Sequence, residues 1–571
     1  MKPETFFENF GHFADAPNSI EKLRELILQL AVSGRLSTQD PNDEPASILL
    51  EKITKEKKRR IALNDFNVSK VEDRPFLESV VSLPANWIRC QIADICELKT
   101  GATPSRSKKE FFGGDIKWLV SGDINQGTIF DCKGRITEEG MDNSNCKLLS
   151  PNSILIALNG QGKTRATVAI LKTEATCNQS LVAMLPILPR CLVPEYIFWN
   201  LRGKYRAIRD ITGQKQRRGL YMKLVGSLSL ELPPLAEQKR IVSKVEQSMA
   251  LCDKLEERQE KSHETRLHLN NSATDKLLTS QTPVEFTANW QRICDNFGLL
   301  YDHPDTVDNL RQAILQLAVQ GKLVPQDPKD EPAAKLYEKI NIAKQSIFKN
   351  GEIKKPTTFP SIDSDSTPFE LPNAWKWVCL GDVFDVRDGT HDSPKYHPTG
   401  VPLVTSKNLS SGRLDLSDIK LISMEDHRKI IQRSKVDKND ILFAMIGSIG
   451  NPVIVDVKPD FSIKNVALFK YYSRNLASPE FLCYYLFYAS NKMREQAAGG
   501  VQSFVPLNFL RNYPFPLAPL AEQKRIVAKV EQLMALCDKL QTQLKEAQET
   551  SAKLTAAAVA NLTSNYYSED K

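Results

Sequence analysis

The chain has little that would suit a membrane or a metal enzyme. No run of eighteen apolar residues occurs in its 571 residues, so no stretch is long enough to span a bilayer as a helix. Its start, MKPETFFENF, lacks the apolar core of a secretory leader, and a cytoplasmic location is expected. The eleven cysteines are scattered and never spaced CxxC, which agrees with a reducing compartment. The seven histidines show neither HExxH nor a Cys/His ligand spacing, so no metal is expected. An Asn/Asp-Pro-Pro-aromatic tetrapeptide, expected of an amine methyltransferase, is missing; the one Pro-Pro pair, Pro233-Pro234, follows Leu232. There is no helicase-type acidic box either, because Asp43-Glu44 and Asp330-Glu331 precede Pro-Ala and read as helix starts. Catalysis and its cofactors are therefore expected on partners. With 41% hydrophobic and 25% charged residues, the composition is that of a globular protein of three or four domains.

What is present is repetition. Pro234 to Leu255 reads PLAEQKRIVSKVEQSMALCDKL and returns from Pro519 as PLAEQKRIVAKVEQLMALCDKL, changed only at Ser243/Ala528 and Ser248/Leu533. Ile27 to Ile53 likewise returns as Ile314 to Ile340. Each copy of this second repeat predicts two amphipathic helices, one ending near Gly34 or Gly321, the next starting at Pro45 or Pro332. Polar linkers then lead into a Leu-Pro-x-x-Trp signature, Leu83-Pro84…Trp87 and Leu371-Pro372…Trp375. These open two diverged blocks whose short β-rich runs and closing helices predict compact α+β domains. The expected boundaries are 1–65 and 305–350 for the helical repeats, 83–233 and 371–518 for the blocks, and 234–280 and 519–562 for the duplicated helices.

The duplicated helices carry an apolar seam. It runs Ile241, Val245, Cys252, Leu255 in the first copy and Ile526, Val530, Leu533, Cys537, Leu540, Leu544 in the second. Its 4-3-4-3 spacing predicts that the two helices pack on each other, with packing onto their own domains as the alternative. A tempting phosphate loop, Gly162-Lys163-Thr164, is followed by the β-branched Arg165-Ala-Thr-Val-Ala-Ile-Leu rather than a helix, so a strand–turn–strand hairpin is expected instead.

Basic residues cluster more than the net charge of +7 requires. Between positions 202 and 223 stand Arg202, Lys204, Arg206, Arg209, Lys215, Arg217, Arg218 and Lys223 against Asp210 alone, with Tyr205 and Tyr221 interleaved. Without visible balancing carboxylates, this stretch predicts contact with a nucleic-acid backbone. Arg106, Lys108 and Lys109 form a smaller patch, and Lys163 and Arg165 would reach a phosphate from the hairpin turn. The second block is less charged, and its candidates are Ser406, Lys407, Asn408, Lys464, Asn465, Lys492, Arg494 and Gln502. A non-enzymatic protein–protein scaffold with duplicated docking helices is the competing reading.

With its twin Pro-Leu-Ala-Glu-Gln-Lys-Arg-Ile-Val motifs and Leu-Pro-x-x-Trp openings, the chain resembles the specificity subunit of type I restriction–modification enzymes, of the kind with N-terminal helical extensions. The resemblance implies two α/β target recognition domains separated by a pair of long antiparallel, coiled-coil-like helices, plus short helical repeats. It implies no catalytic residue here and a bipartite target on double-stranded DNA, and because the two blocks differ in sequence and charge the target is expected to be asymmetric. Two modification subunits using S-adenosylmethionine and restriction subunits using ATP and Mg would be the partners, with no membrane involved.

Overall fold

The computed structural model describes residues 18–66, 68–72, 82–160, 162–211, 220–353, 357–362, 367–447, 449–497 and 504–564. The chain divides into two compact units, Met1–Ser262 with Ala547–Lys571, and His263–Glu546. Both follow one plan. Among the described residues, no helix is long and apolar enough to cross a membrane.

In the first unit, α1 (Ser19–Val32) and α2 (Ala46–Ala62) form the helical repeat. A neck of two antiparallel strands follows, β1 (Ile88–Gln91) and β8 (Ser229–Leu232), in which Ile88 faces Leu232. Between them lie β2 (Cys96–Thr100), β3 (Phe112–Leu119), β4 (Ile154–Ala157), β5 (Val168–Leu171), β6 (Thr176–Cys177) and β7 (Leu181–Pro186). The main sheet runs β2-β7-β4-β5 with the short strand Thr128–Ile129 at its edge, and β3 pairs β6 in a smaller sheet. β4 and β5 are apolar at every position, as strands covered on both faces must be, and all eight residues are buried. They form the expected antiparallel hairpin. Two helices, α3 (Pro194–Gly203) and α4 (Tyr205–Asp210), come before β8 and the long α5 (Leu235–Leu278).

The second unit repeats this order. α6 (Pro304–Val319) and α7 (Ala333–Lys349) precede the neck strand β9 (Lys376–Cys379). Then come β10 (Phe384–Asp388), β11 (Val401–Val404), β12 (Ile441–Ala444), β13 (Gly450–Ile454), β14 (Ser462–Ile463), β15 (Val466–Tyr471) and α8 (Pro479–Ala497). The neck closes with β16 (Pro514–Leu517), where Lys376 faces Leu517, and α9 (Leu520–Ser564) follows. The main sheet is β10-β15-β12-β13, and β11 lies parallel to β14 in a second sheet.

The apolar seam of the long helices serves two partners. Ile241 and Val245 are fully buried in the core of the first block, and Ile526, Val530 and Cys537 in that of the second, with Leu533, Leu540 and Leu544 packed beside them. Further along, Cys252 and Leu255 cluster in the first unit with Ile20 and Leu23 of α1 and with Ala558 of α9. In the second unit Leu277 of α5 shares a cluster with Leu540 of α9. The front of each seam thus buries against its own domain; in the second copy Leu540 touches both that core and the cluster that holds Leu277.

Within each unit the repeated pieces close on one another in a buried clasp. Glu237, 1% exposed, accepts hydrogen bonds from Trp87 Nε1 (2.8 Å), Ser37 Oγ (2.9 Å) and Gln39 Nε2 (2.6 Å). Glu522 accepts from Trp375 Nε1 (3.0 Å) and Gln326 Nε2 (2.5 Å), and burial pushes its carboxyl upward against the pull of those donors. Arg240 pairs with Asp43 (2.6 Å) and Arg525 with Asp330 (2.7 Å). Gln238 accepts from the Val193 N–H and donates to Pro233 O, fastening the first helix to its domain. Gly34 and Gly321 stand at φ +73° and +68°, where a Cβ would lie 2.7 Å from Pro84 Cγ and 2.6 Å from Pro372 Cγ. Only glycine tolerates both the left-handed backbone and that approach. The Glu, Gln and Arg side chains of the repeated Glu-Gln-Lys-Arg are thus engaged inside the chain.

Candidate nucleic-acid interface

Strand direction gathers the loops. In the first unit Thr100 faces Val182 and Ala157 faces Leu181, so the end of β2, the end of β4 and the start of β7 lie at one end of the sheet. β6 runs parallel to β3, and the Asn178 N–H donates to Leu119 O, which brings the end of β3 there too. Loops 101–108, 158–167 and 178–180 therefore share one rim. The second unit matches it: Asp388 faces Ala467, Ala444 faces Val466, and the Lys464 N–H donates to Val404 O. Loops 389–395, 445–449 and 464–465 and the turn starting at Ser406 share that rim.

Several predicted contact residues stand on these rims. Arg106, Lys108 and Lys109 are exposed, with Lys108 Nζ 4.8 Å from the Phe111 ring centre. Lys163 is exposed at the hairpin turn, and Arg165 beside it is half-buried. That turn is braced from outside: Tyr205 Oη donates to Lys163 O (2.7 Å), while Arg209 donates to Arg165 O (3.0 Å) and Gly162 O (2.8 Å). In the second unit Lys407 is exposed, Ser406 is half-buried, and Lys464 Nζ reaches Ser393 Oγ (2.5 Å).

Other candidates are spent elsewhere, which corrects the reading of the 202–223 cluster. Lys204 donates to Glu231 Oε2 (2.6 Å) and Ser229 O (2.8 Å), and its side chain is only 10% exposed. Burial pulls its pKa down against the opposing effect of Glu231. Arg206 pairs with Glu25 and Glu21 of α1, Lys223 with Glu72, and Arg202 lies over the rings of Phe198 and Trp199. The missing carboxylates exist, but they come from distant parts of the chain. Lys215, Arg217 and Arg218 fall outside the described residues, as does Gln502. Asn408 is also a structural residue: it is buried, its Oδ1 accepts from the Thr405 N–H (2.9 Å), and its Nδ2 donates to Asp415 O (2.9 Å). Lys492 lines a groove of about 840 Å³ between α6 and α8, and Arg494 bonds Ser490 Oγ (3.4 Å). Lys204→Met is expected to lower unfolding stability by about 3–5 kcal/mol, because Glu231 would be left buried without its cation. Chemical denaturation of the full chain checks this.

One group of metal-ligating type is found among the described residues, His263, His303 and Asp305, with ligand atoms within 4.8 Å of one another. A tetrahedral ion with bonds of about 2.0 Å needs ligands roughly 3.3 Å apart. His303 Nδ1 instead accepts the Asp305 N–H (3.3 Å) as a helix cap.

The family model described as type I restriction modification DNA specificity domain matches residues 84–263 and 372–549. The Type I restriction enzyme EcoAI specificity subunit of Escherichia coli is 31% identical over 94% of this chain and 93% of that protein. The EcoEI specificity subunit of Escherichia coli is 28% identical over the same shares of the two chains. Among solved structures, the HsdS subunit from Thermoanaerobacter tengcongensis aligns with 85% of this chain and 98% of its own, at 17% identity and a TM-score of 0.43. With two matched specificity domains and full-length kinship to named subunits, this chain belongs to the specificity subunits of type I restriction–modification systems.

Proposed function

We propose that each unit reads one half of a bipartite target on double-stranded DNA, and that the two half-sites differ. The observation that carries this is the matched rim. Each main sheet ends in the same set of loops, yet matching positions bear unlike side chains and unlike charge. Phosphate contacts supply affinity and base-edge contacts supply choice, so two such rims suit two different sequences. The 44 residues of α5 and 45 of α9 correspond to about 66 Å of helix each. One duplex turn is about 34–36 Å, so helices of this length suffice to set a spacer between half-sites. The duplicated frame suits two identical modification subunits carrying S-adenosylmethionine, with restriction subunits supplying ATP- and Mg-dependent steps. A specificity subunit has no need of a catalytic group of its own.

The test uses the full chain in complex with its modification subunit. Duplex affinity, followed by anisotropy, should fall steeply and linearly in log K against log salt. Lys163→Ala should shrink that slope by about 1 without altering the methylated motif read from the host genome. Salt-independent or absent duplex binding would favour the protein scaffold instead.

A further inference from the structure

Within each rim, two loops are pressed together more closely than any side chain would allow. A Cβ on Gly101 would sit 1.6 Å from Cys177 O, and one on Gly389 would sit 2.4 Å from Ile463 O. In the second unit the contact is sewn by backbone bonds from Gly389 N to Val466 O, Thr390 N to Ile463 O and Asn465 N to Thr390 O. In the first, Trp118 Nε1 donates to Ala102 O (3.0 Å) and holds the same loop. Two residues beyond each of these glycines, and two beyond each facing carbonyl, a pair of side chains meets across the loops. In the first unit Thr103 Oγ1 donates to Gln179 Oε1 at 2.7 Å. In the second, His391 Nδ1 lies 3.1 Å from Asn465 Oδ1, while its Nε2 is 2.9 Å from Oδ2 of Asp388, a residue 5% exposed.

From this geometry we infer that Gln179 and Asn465 are specificity-determining residues of the two half-sites, positioned by Thr103 and by His391 respectively; the inference rests on the DNA-reading function proposed above. Each carboxamide spends one end on the neighbouring loop, and its other end has no partner among the described residues. The free N–H groups suit acceptors on a base edge, such as N7 of adenine or N7 and O6 of guanine, and the second lone pair of the carboxamide oxygen is left for adenine N6. Asn465 is held at φ +55°, a left-handed conformation that asparagine tolerates better than most residues. Cations flank both pairs, Arg106, Lys108 and Lys109 on the loop of Thr103 and Lys464 beside Asn465, so phosphate contacts could seat the amide against a base edge. The close approach of a glycine to a facing carbonyl is shared by both units, while the presented pair is Thr/Gln in one and His/Asn in the other. An interchangeable reader has this form: constant support, variable chemistry.

The experiment is methylation-motif sequencing in a host carrying the modification subunit with Gln179→Ala, Asn465→Ala, Thr103→Val or Thr103→Ser. Affinity of each complex for duplexes altered at single half-site positions is measured alongside. Gln179→Ala should reduce discrimination at one base pair of one half-site by roughly tenfold, and Asn465→Ala should do so in the other half-site only. Thr103→Val should broaden the same position as Gln179→Ala, and Thr103→Ser should restore the original motif. Unchanged motifs with undiminished salt-dependent binding would overturn this inference and leave the DNA-reading function standing. Equal weakening on every duplex, with thermal midpoints unaltered, would also overturn it by making these residues phosphate contacts. A parent complex that binds no duplex would sink the function itself.

Discussion

Glu237→Ala is expected to destabilise the first unit by about 4 kcal/mol. The carboxylate satisfies Trp87 Nε1, Ser37 Oγ and Gln39 Nε2 at once in a site 1% exposed. Removing it leaves the Trp87 and Ser37 donors buried without an acceptor, each costing about 1–3 kcal/mol, while the exposed Gln39 keeps its bond to Gly34 O. Trp87→Phe, which orphans a single carboxylate position but keeps the packing, should cost about 1–2 kcal/mol. Glu522→Ala should cost less in the second unit, about 1–3 kcal/mol, because Trp375 Nε1 is left buried without an acceptor while the exposed Gln326 keeps its bond to Gly321 O. Hydrogen exchange followed by mass spectrometry resolves the two units, and protection should fall in the altered one alone. If Glu237→Ala instead left protection intact while abolishing capture of the modification subunit, the repeated motif would be a docking surface and not an internal clasp.

Replacing residues 88–232 with the matching block of another specificity subunit is expected to change one half of the methylated motif completely and leave the other half untouched. The structural basis is the neck. Ile88 and Leu232 are direct partners in an antiparallel pair, so the block enters and leaves the frame at one point. The second block is closed the same way, by Lys376 against Leu517. A graft cut at these strands carries both sides of its own neck and disturbs no ladder bond of the frame. Long-read methylation sequencing gives the answer directly. A change in both halves would mean that the two blocks do not read independently.

Much of this architecture could be read from local pattern. The hairpin at 154–171 follows from two fully apolar β-branched runs around a glycine-bearing turn, and the helix ending at Leu278 from uninterrupted helix-forming residues after Pro234. The long-helix seam was also visible in the sequence, but not its division: Ile241 and Cys252 sit on one stripe, yet the first faces its own domain and the second faces α1 and Ala558. Periodicity tells which face is apolar and is silent about what covers it. The cationic cluster misled for a related reason. Counting charge within a 22-residue window could not see Glu25, Glu72 and Glu231, which neutralise Arg206, Lys223 and Lys204 from other elements.

By itself, then, the sequence determined that one frame is built twice around two unlike blocks, and which segments become helix or strand, because repeat identity and apolar spacing are properties of neighbouring residues. Only the tertiary structure decided which polar groups are left for DNA. Asn465 was already a candidate in the sequence but Gln179 looked ordinary there, whereas Lys204 looked exposed. Burial, ion pairing and the meeting of loops at a sheet's end depend on residues far apart in the chain, brought together by strand direction and register.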